Sequence, residues 1–474
     1  MKKIKLILLL ILVTISYRCD EGLEELNIDP NNAVTVNPSN LLTSSQYSLY
    51  NMMAGTTMNA DWGLLMVQYW SQNEYAEDSR YNQDITFFNG SWSTFYASII
   101  NELTEAKNLI EEQDISDAIK TNQKNILDVM ISQAYINLAD GFGAVPYSEA
   151  INDEISLPAY DEEEDIYNGV LETLDKAYSS FDSSSGSFSS GDIIFDGNVG
   201  SWKKLTNSLI LRYAMRMVDV DESTASEYIN KASANLINSN DENALFTFDS
   251  NPDRAHPLYR NEVINNRDDY CVSEYLVTTL EDLGDPRLDE FAKPASGGTI
   301  VGMPYGLNDN DASVLKPTTS RPNDQVRDAT TSHLIMGYSE VQFLLAEAYQ
   351  RNILSGNASQ AYENAVTSSM NYWNITDQSA IDNYIDNNPY DTSNWKESIG
   401  VQKWVAFYMN GFQAWNEWRR LDFPVLSAPS EAVISTIPVK LPYPLSETQN
   451  NSENLNKITT TPGDLTTKVW WDVN

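Results

Sequence analysis

Apolar residues recur every three or four positions along much of the chain, the spacing expected for one face of an α-helix. The clearest stripes are Leu127, Ile131, Ala134 and Leu138; Tyr167, Leu171, Leu174, Tyr178 and Phe181; Leu334, Tyr338, Val341, Leu345 and Ala348; and Trp404, Tyr408, Gly411, Trp415 and Trp418. A further helix is expected over residues 201–218, where Ser201 can cap the first free amide groups. The acidic run at residues 161–165 favours another helix start. This pattern predicts a mostly α-helical protein.

One stretch predicts two helices that pack as a pair. Residues 345–349 (LAEAY) and 361–365 (AYENA) contain small alanines, and Gly356 lies between them. The arrangement resembles a tetratricopeptide unit, in which small residues let two helices approach closely. A weaker copy is indicated at about residues 125–150. The sequence therefore predicts a scaffold of helix pairs without a regular array.

Two regions interrupt the helical period. Residues 183–200 are rich in Ser and Gly and predict a surface loop or short hairpin. Residues 249–333 contain many Pro, Gly, Asn and Asp residues, with no sustained hydrophobic period. Long loop-rich insertions in compact domains often carry function. We therefore expect the 249–333 insertion to carry function.

The amino terminus predicts an export signal that ends at a cysteine. A lysine-rich start is followed by apolar residues 6–15, a run too short to span a bilayer. Cleavage before Cys19 would remove residues 1–18 and leave a cysteine for acyl chains, with residues 19–40 as an acidic, Asn- and Pro-rich tether. Lipoprotein cleavage sites have small residues just before the cysteine, and Arg18 does not match that pattern. The alternative is ordinary signal cleavage nearby, with Cys19 left free.

Composition narrows the possible functions. The chain has 474 residues with a formal net charge of −37, and such an acidic surface repels nucleic acid. The two cysteines build no disulfide framework, and Cys271 is expected to be a buried small residue. His256 and His333 are too isolated to form a zinc site and are expected in solvated loops. The run at residues 308–311 (NDND) lacks the pattern of a calcium loop. No metal or cofactor is predicted.

Six segments, spread in order along the chain, carry a family resemblance. They are residues 26–32 (LNIDPNN), 139–149 (ADGFGAVPYSE), 285–288 (DPRL), 335–347 (IMGYSEVQFLLAE), 412–421 (FQAWNEWRRL) and 441–447 (LPYPLSE). Together they resemble the SusD/RagB family of nutrient-binding outer-membrane lipoproteins, in its SusD-like branch. A cysteine followed by acids, as in Cys19 and the next two residues, is also typical of that family.

The resemblance implies a single helical domain over residues 41–474, with four tetratricopeptide-like pairs and a ligand site on the 249–333 insertion. It also implies a surface-exposed protein, held to the outer membrane by lipid, that binds an oligosaccharide or, less often, a peptide. The partner would be a SusC-like TonB-dependent β-barrel transporter, and no catalysis is expected. Two other functions stay open on the residues alone. One is an all-helical glycoside hydrolase with two carboxylates across an aromatic cleft, and the other is an adhesin without a small ligand.

Candidate ligand-binding residues follow from the chemistry of glycans. Sugar faces pack on aromatic rings, and sugar hydroxyls bond to planar polar groups. Two segments outside the helical stripes concentrate these residue types, at residues 69–92 and 259–270. The candidates are Tyr75, Arg80, Tyr81, Trp92, Tyr259, Arg267, Asp268, Tyr270 and, downstream, Tyr305. The alternative is that these aromatics only pack the loops onto the scaffold.

Overall fold

The computed structural model describes residues 36–473, so the predicted signal peptide, Cys19 and most of the predicted tether lie outside the described residues. The α-helices of the described chain are α1 (Pro38–Met53), α2 (Asn89–Ser93), α3 (Asn101–Glu111), α4 (Asp117–Phe142), α5 (Glu163–Ser180), α6 (Val199–Arg216), α7 (Glu222–Ala232), α8 (Glu274–Leu283), α9 (Leu288–Phe291), α10 (Asp309–Leu315), α11 (Tyr338–Gln350), α12 (Ala358–Tyr372), α13 (Gln378–Asn387), α14 (Trp395–Ala406), α15 (Gly411–Leu421), α16 (Leu445–Asn450) and α17 (Ser452–Ile458). Three π-helical segments cover Thr56–Leu64, Thr94–Ile100 and Tyr259–Ile264. Short 3-10 turns cover Asp78–Arg80, Asn240–Glu242, Lys316–Thr318, Asp324–Arg327 and Thr392–Asn394. The prediction of a mostly α-helical fold is confirmed.

Four pairs of consecutive helices form the scaffold. They are α4 with α5, α6 with α7, α11 with α12, and α14 with α15. In the pair predicted from the alanine pattern, Ala361 and Ala365 are buried where α12 packs on α11. Gly356 between these helices lies against the ring of Tyr349, which leaves no room for a Cβ atom. The expected tetratricopeptide-like scaffold is therefore present.

A chain of buried ion pairs runs through the scaffold and draws on all four helix pairs. Its members are Asp140 of α4, Arg216 of α6, Glu347 of α11, Lys403 of α14, and Glu417 and Arg420 of α15. The ammonium nitrogen of Lys403 lies 2.8 Å from a Glu417 carboxylate oxygen. A buried charge must be paired to be tolerated. The network therefore requires the four pairs to stay in register.

Three details of the predicted helices are wrong. The stripe from Trp404 to Trp418 is two helices, because the chain turns between α14 and α15 and Met409 adopts a left-handed φ of 72°. Leu334 belongs to a strand rather than to the helix that follows it. Helix α6 begins at Val199, with the Asn198 side chain accepting the Ser201 amide, so Asn198 rather than Ser201 is the cap.

Two small antiparallel sheets organise the loops. Strands β1 (Trp70–Gln72) and β3 (Tyr270–Val272) form one sheet, and β2 (Ala244–Thr247) and β4 (Ser332–Met336) form the other. The 249–333 stretch contains β3, helices α8 to α10 and a π-helical segment, so it is more ordered than its sequence suggests. The NDND run begins α10, where the Asn308 side chain accepts two amides as a cap.

Both histidines are buried, so the prediction of solvated loop histidines is wrong. His256 packs against Phe248, and His333 packs against Tyr50. Burial lowers the pKa of His256 to about 3 and that of His333 to about 4. Cys271 is fully buried, as expected, but its sulfur also accepts bonds from Asn73 and Arg321 at 3.3 and 3.0 Å.

Candidate functional site

A large cleft in the described chain lies where three π-helical segments meet. It is lined by residues at the start of Thr56–Leu64 and by the first residue of Thr94–Ile100. The third segment, Tyr259–Ile264, contributes Arg260, Asn261 and Ile264. The end of α1, the loop before α2 and residues 252–257 complete the wall. The cleft has a volume of about 670 Å³, which falls within the range of ligand-binding pockets. We refer to it as the polar cleft.

The convergence of π-helices is evidence for function. Such segments are rare in globular proteins and occur frequently at functional sites. In the chain from residue 36 to 473, all three of them border this one cleft. A π-helical turn weakens regular hydrogen bonding, so it persists where it positions side chains that a regular helix would misplace. The backbone therefore marks the polar cleft as the strongest candidate site.

The lining of the polar cleft suits an uncharged, hydroxyl-rich ligand. Amides and hydroxyls dominate it, contributed by Asn51, Thr56, Thr57, Ser91, Thr94, Asn261 and Asn265. Phe87 and Ile264 supply apolar surface. Arg260 is the cationic residue among the described lining residues, and its guanidinium already bonds to Asn51 and to the Asp253 carbonyl oxygen. The site thus offers planar hydrogen-bonding groups and little free positive charge.

Carboxyl groups with raised pKa values lie behind the cleft walls. Asp61, in the first π-helical segment, accepts a bond from the Tyr270 hydroxyl. Burial raises the pKa of Asp61. Neighbouring carboxylates raise it further, and Asp78 has the largest effect among them. Glu262, in the third segment, accepts a bond from cleft-lining Asn261 at 2.9 Å, and burial raises its pKa to about 7. Neither carboxyl lines the cleft, so these groups support its walls.

The raised pKa of Glu262 predicts a pH-dependent stability. The folded protein retains the Glu262 proton up to about pH 7, whereas an unfolded chain loses it near its ordinary pKa of 4.5. The free energy of unfolding therefore contains a contribution that is present at low pH and lost as pH rises through 7. We expect Glu262→Gln to remove about 1–3 kcal/mol of stability change between pH 5 and 8.

Urea denaturation of the parent and the Glu262→Gln variant at several pH values would measure this effect. The variant should show the flatter profile across that window. Parallel dependence of stability on pH in the parent and the variant would contradict a raised pKa for Glu262. Glu431→Gln, a half-buried carboxyl outside this cluster, is a suitable control.

The structure brings the two predicted aromatic segments together through the pairing of β1 with β3. Tyr75 is 60% exposed, with a left-handed φ of 53°, and the Arg267 guanidinium lies over its ring at 4.6 Å. Arg267 follows cleft-lining Asn265 by two residues and is held by Asp269 at 2.7 Å. Tyr75 and Arg267 therefore form an exposed platform on the loop that continues from the polar cleft.

The other predicted residues mainly support the loops. The two carboxylate oxygens of Asp268 accept bonds from Nε and Nη2 of Arg321. The Tyr270 ring packs at a tilt against Trp70, and its hydroxyl donates to Asp61. Tyr81 is buried, and burial raises the pKa of its phenol and that of Tyr305. These contacts agree with the loop-packing alternative for these side chains.

The remaining three predicted residues, Trp92, Arg80 and Tyr259, make other contacts. Trp92 packs against Phe142 and opens towards a different cleft, and Arg80 bonds to the Ala76 carbonyl oxygen. Tyr259 is the half-buried first residue of its π-helical segment. None of the nine predicted residues lines the polar cleft. Sequence reasoning missed Asn51, Thr57 and Asn261, because isolated polar residues give no periodic signal.

Comparison with known proteins agrees with the fold and the motifs. A family described as "Starch-binding associating with outer membrane" and named SusD-like matches residues 30–444. That match covers most of the chain. The chain belongs to the SusD-like family. The resemblance drawn from the six sequence segments is thereby confirmed.

Solved structures superpose over nearly the whole described chain. A structure titled "chitin-binding protein" is 28% identical, with a TM-score of 0.83 over 92% of this chain and 100% of its own. A SusD homologue from Parabacteroides distasonis is 21% identical, with a TM-score of 0.81 over 93% and 98%. One from Bacteroides uniformis is 23% identical, with a TM-score of 0.79 over 92% and 99%. No curated protein matches the chain.

The SusD-like family is associated with the outer membrane and with carbohydrate binding. Between residues 36 and 473, the structure contains no helix with the length and apolar character needed to cross a bilayer.

Proposed function

We propose that this SusD-like protein binds a neutral oligosaccharide in the polar cleft and delivers it to a SusC-like TonB-dependent transporter without cleaving it. The observation that carries the proposal is the amide- and hydroxyl-rich lining at the meeting point of three π-helical segments. Amide groups bond to sugar hydroxyls and acetamido groups, while Phe87 and Ile264 cover the apolar face of a ring. The exposed Tyr75–Arg267 platform extends the binding surface beyond the cleft.

Chitin oligosaccharides are the first ligands to test. The 28% identical relative is named a chitin-binding protein, and its fold covers the same span. The amides of Asn51, Asn261 and Asn265 can pair with acetamido groups. Charged polymers fit less well, because the guanidinium of Arg260 is already bonded within the protein and the surface is strongly acidic.

Calorimetric titration of the purified protein with four oligosaccharides would test the proposed ligand class. We expect saturable binding of a chitin hexaose or a maltohexaose, and weak or no binding of oligogalacturonate and a sulfated oligosaccharide. Chromatography of the recovered ligand should show it intact. Preference for a charged oligosaccharide, or shortening of any ligand, would contradict the proposal.

The membrane anchor and the partner complete the proposed role. Acyl chains on Cys19 hold the protein at the outer surface, where the predicted tether joins the anchor to the helical domain. The mass of the mature amino terminus tests the anchor, since cleavage without lipid would leave an unmodified terminus. Affinity purification from solubilised outer membranes tests the partner, and it should recover a β-barrel transporter in stoichiometric amount.

A further inference from the structure

A second cleft, whose lining shares no residue with that of the polar cleft, lies under a closed surface loop. Its Trp92 and Tyr96 come from the same stretch of chain as Ser91 and Thr94 of the polar cleft. The loop covers residues 146–160, and a bridge between Val145 and Asp161 brings its two ends together. The Asp161 carboxylate accepts the amides of Tyr147 and Ser148, both at 2.9 Å. Asn451 secures the far side by donating to the Pro158 carbonyl oxygen at 2.9 Å. Loops of this kind, compact and closed at their ends, are frequently functional.

The loop holds two aliphatic side chains in solvent beside the cleft. Leu157 is 49% exposed, and Ile151 is 37% exposed. Ile151 has a left-handed φ of 55°, which is an outlier for a β-branched residue. Such a conformation costs free energy and tends to occur at functional sites. The fold therefore maintains an exposed isoleucine in a conformation that a glycine would adopt without strain.

The second cleft is more acidic than the polar cleft, whose lining contains one carboxylate residue, Asp253, beside Arg260. Its volume is about 350 Å³, large enough for a ligand group. Glu149, Asp153 and Glu447 line it, and no lysine, arginine or histidine is among its described lining residues. Tyr160 donates to one oxygen of Glu447 at 2.6 Å, and the Ala159 amide donates to one oxygen of Glu149 at 2.8 Å. The remaining carboxylate oxygens suit a cationic group.

The aromatic residues of this cleft do not provide a surface for sugar stacking. Trp92 is 6% exposed, and its ring is covered by Phe142, Tyr96 and Tyr443. The Tyr96 hydroxyl donates to the Pro146 carbonyl oxygen at 2.8 Å. Branched aliphatic side chains pack against other aliphatic side chains rather than against the polar rim of a sugar. Exposed aliphatic residues beside unneutralised carboxylates therefore favour a peptide over a glycan.

We propose that the cleft between the 146–160 loop and helix α16 is a docking site for a peptide segment of a protein partner, in which a lysine or arginine side chain is flanked by aliphatic residues. The cation enters among Glu149, Asp153 and Glu447, and the aliphatic neighbours cover Ile151 and Leu157. This site is independent of glycan binding in the polar cleft.

Selection from a random dodecapeptide phage library on the immobilised protein tests the site. We expect enriched peptides that combine Lys or Arg with Leu, Ile or Val. A synthetic peptide of the consensus should bind more weakly as salt rises, because the cation is paired electrostatically. Leu157→Ser and Ile151→Gly should each weaken that peptide about tenfold. Absence of a consensus, an acidic consensus, or a consensus peptide that binds both variants unchanged would overturn the proposal.

Ile151→Gly separates a binding role from a structural one. Glycine relieves the left-handed strain, so the variant should unfold at a temperature no lower than the parent protein while binding the peptide more weakly. An exposed aliphatic substitution elsewhere, Val425→Ser, is a control that should leave the peptide affinity unchanged. Loss of chitin hexaose binding in Leu157→Ser or Ile151→Gly would overturn the peptide assignment in favour of a glycan subsite.

Discussion

Replacing Glu417 with alanine is expected to destabilise the protein by about 3–5 kcal/mol, because it removes one side of a buried charge network. Glu417 accepts bonds from Lys403 and Arg420, both at 2.8 Å, and lies 3.4 Å from a nitrogen of Arg216. Burial alone would raise the pKa of Glu417, but these three cations hold it well below its usual value. In the variant, the three cations stay buried without that carboxylate. The free energy of unfolding should fall accordingly.

Urea denaturation followed by tryptophan fluorescence at neutral pH measures this effect. Glu172→Ala is the matched control, because Glu172 pairs with Lys176 on the exposed face of α5. Exposed ion pairs contribute little, so the control should keep the parent midpoint. Equal midpoints for the two variants would show that the buried network does not hold the four helix pairs together.

Replacing Gly63 with alanine is expected to cost about 3 kcal/mol or more, because two backbones cross at this position without space for a side chain. A Cβ atom on Gly63 would lie 2.3 Å from the Gly411 carbonyl carbon and 2.5 Å from the Phe412 nitrogen. These are backbone atoms of helix α15, so they cannot rotate away. The crossing joins the first π-helical segment to the last helix pair. Its disruption should therefore also weaken ligand binding in the polar cleft.

Comparing the thermal denaturation of Gly63→Ala with that of Gly463→Ala tests the close approach of the two backbones. A Cβ atom on Gly463 meets nothing within 4 Å, so the Gly463→Ala variant should unfold at the same temperature as the parent protein. Gly411→Ala makes the reciprocal test, because its Cβ atom would lie 2.4 Å from the Leu64 nitrogen. Parent-like stability of both Gly63→Ala and Gly411→Ala would contradict the close approach of the two helices.

The pair formed by α11 and α12 could be read from the sequence because local spacing determines it. Ala361 and Ala365 mark the packing face of α12, and the structure buries both. The turn between α14 and α15 could not be predicted in the same way. The aromatic stripe continues across it, and the break depends on Met409 adopting a left-handed conformation that tertiary contacts impose.

The candidate site was predicted only at the level of segments. The aromatic residues at 69–92 and 259–270 drew attention to two loops that border the polar cleft and that strands β1 and β3 bring together. The side chains that line the polar cleft are ordinary polar residues, such as Asn51 and Asn261, from segments more than 200 positions apart in the chain. The π-helical turns that present them give no sequence signal, because they arise from packing.

The central claim, that the polar cleft is the glycan-binding site, is tested most directly by calorimetry on a matched pair of variants. Asn261→Ala combined with Asn265→Ala removes two cleft amides, whereas Asn383→Ala removes an exposed amide on helix α13, far from the cleft in the chain. With the neutral oligosaccharide that binds the parent protein, we expect the cleft variant to lose at least tenfold in affinity, which corresponds to about 1.4 kcal/mol. The Asn383→Ala control should bind as the parent does. Parent-like affinity in the cleft variant would contradict the account.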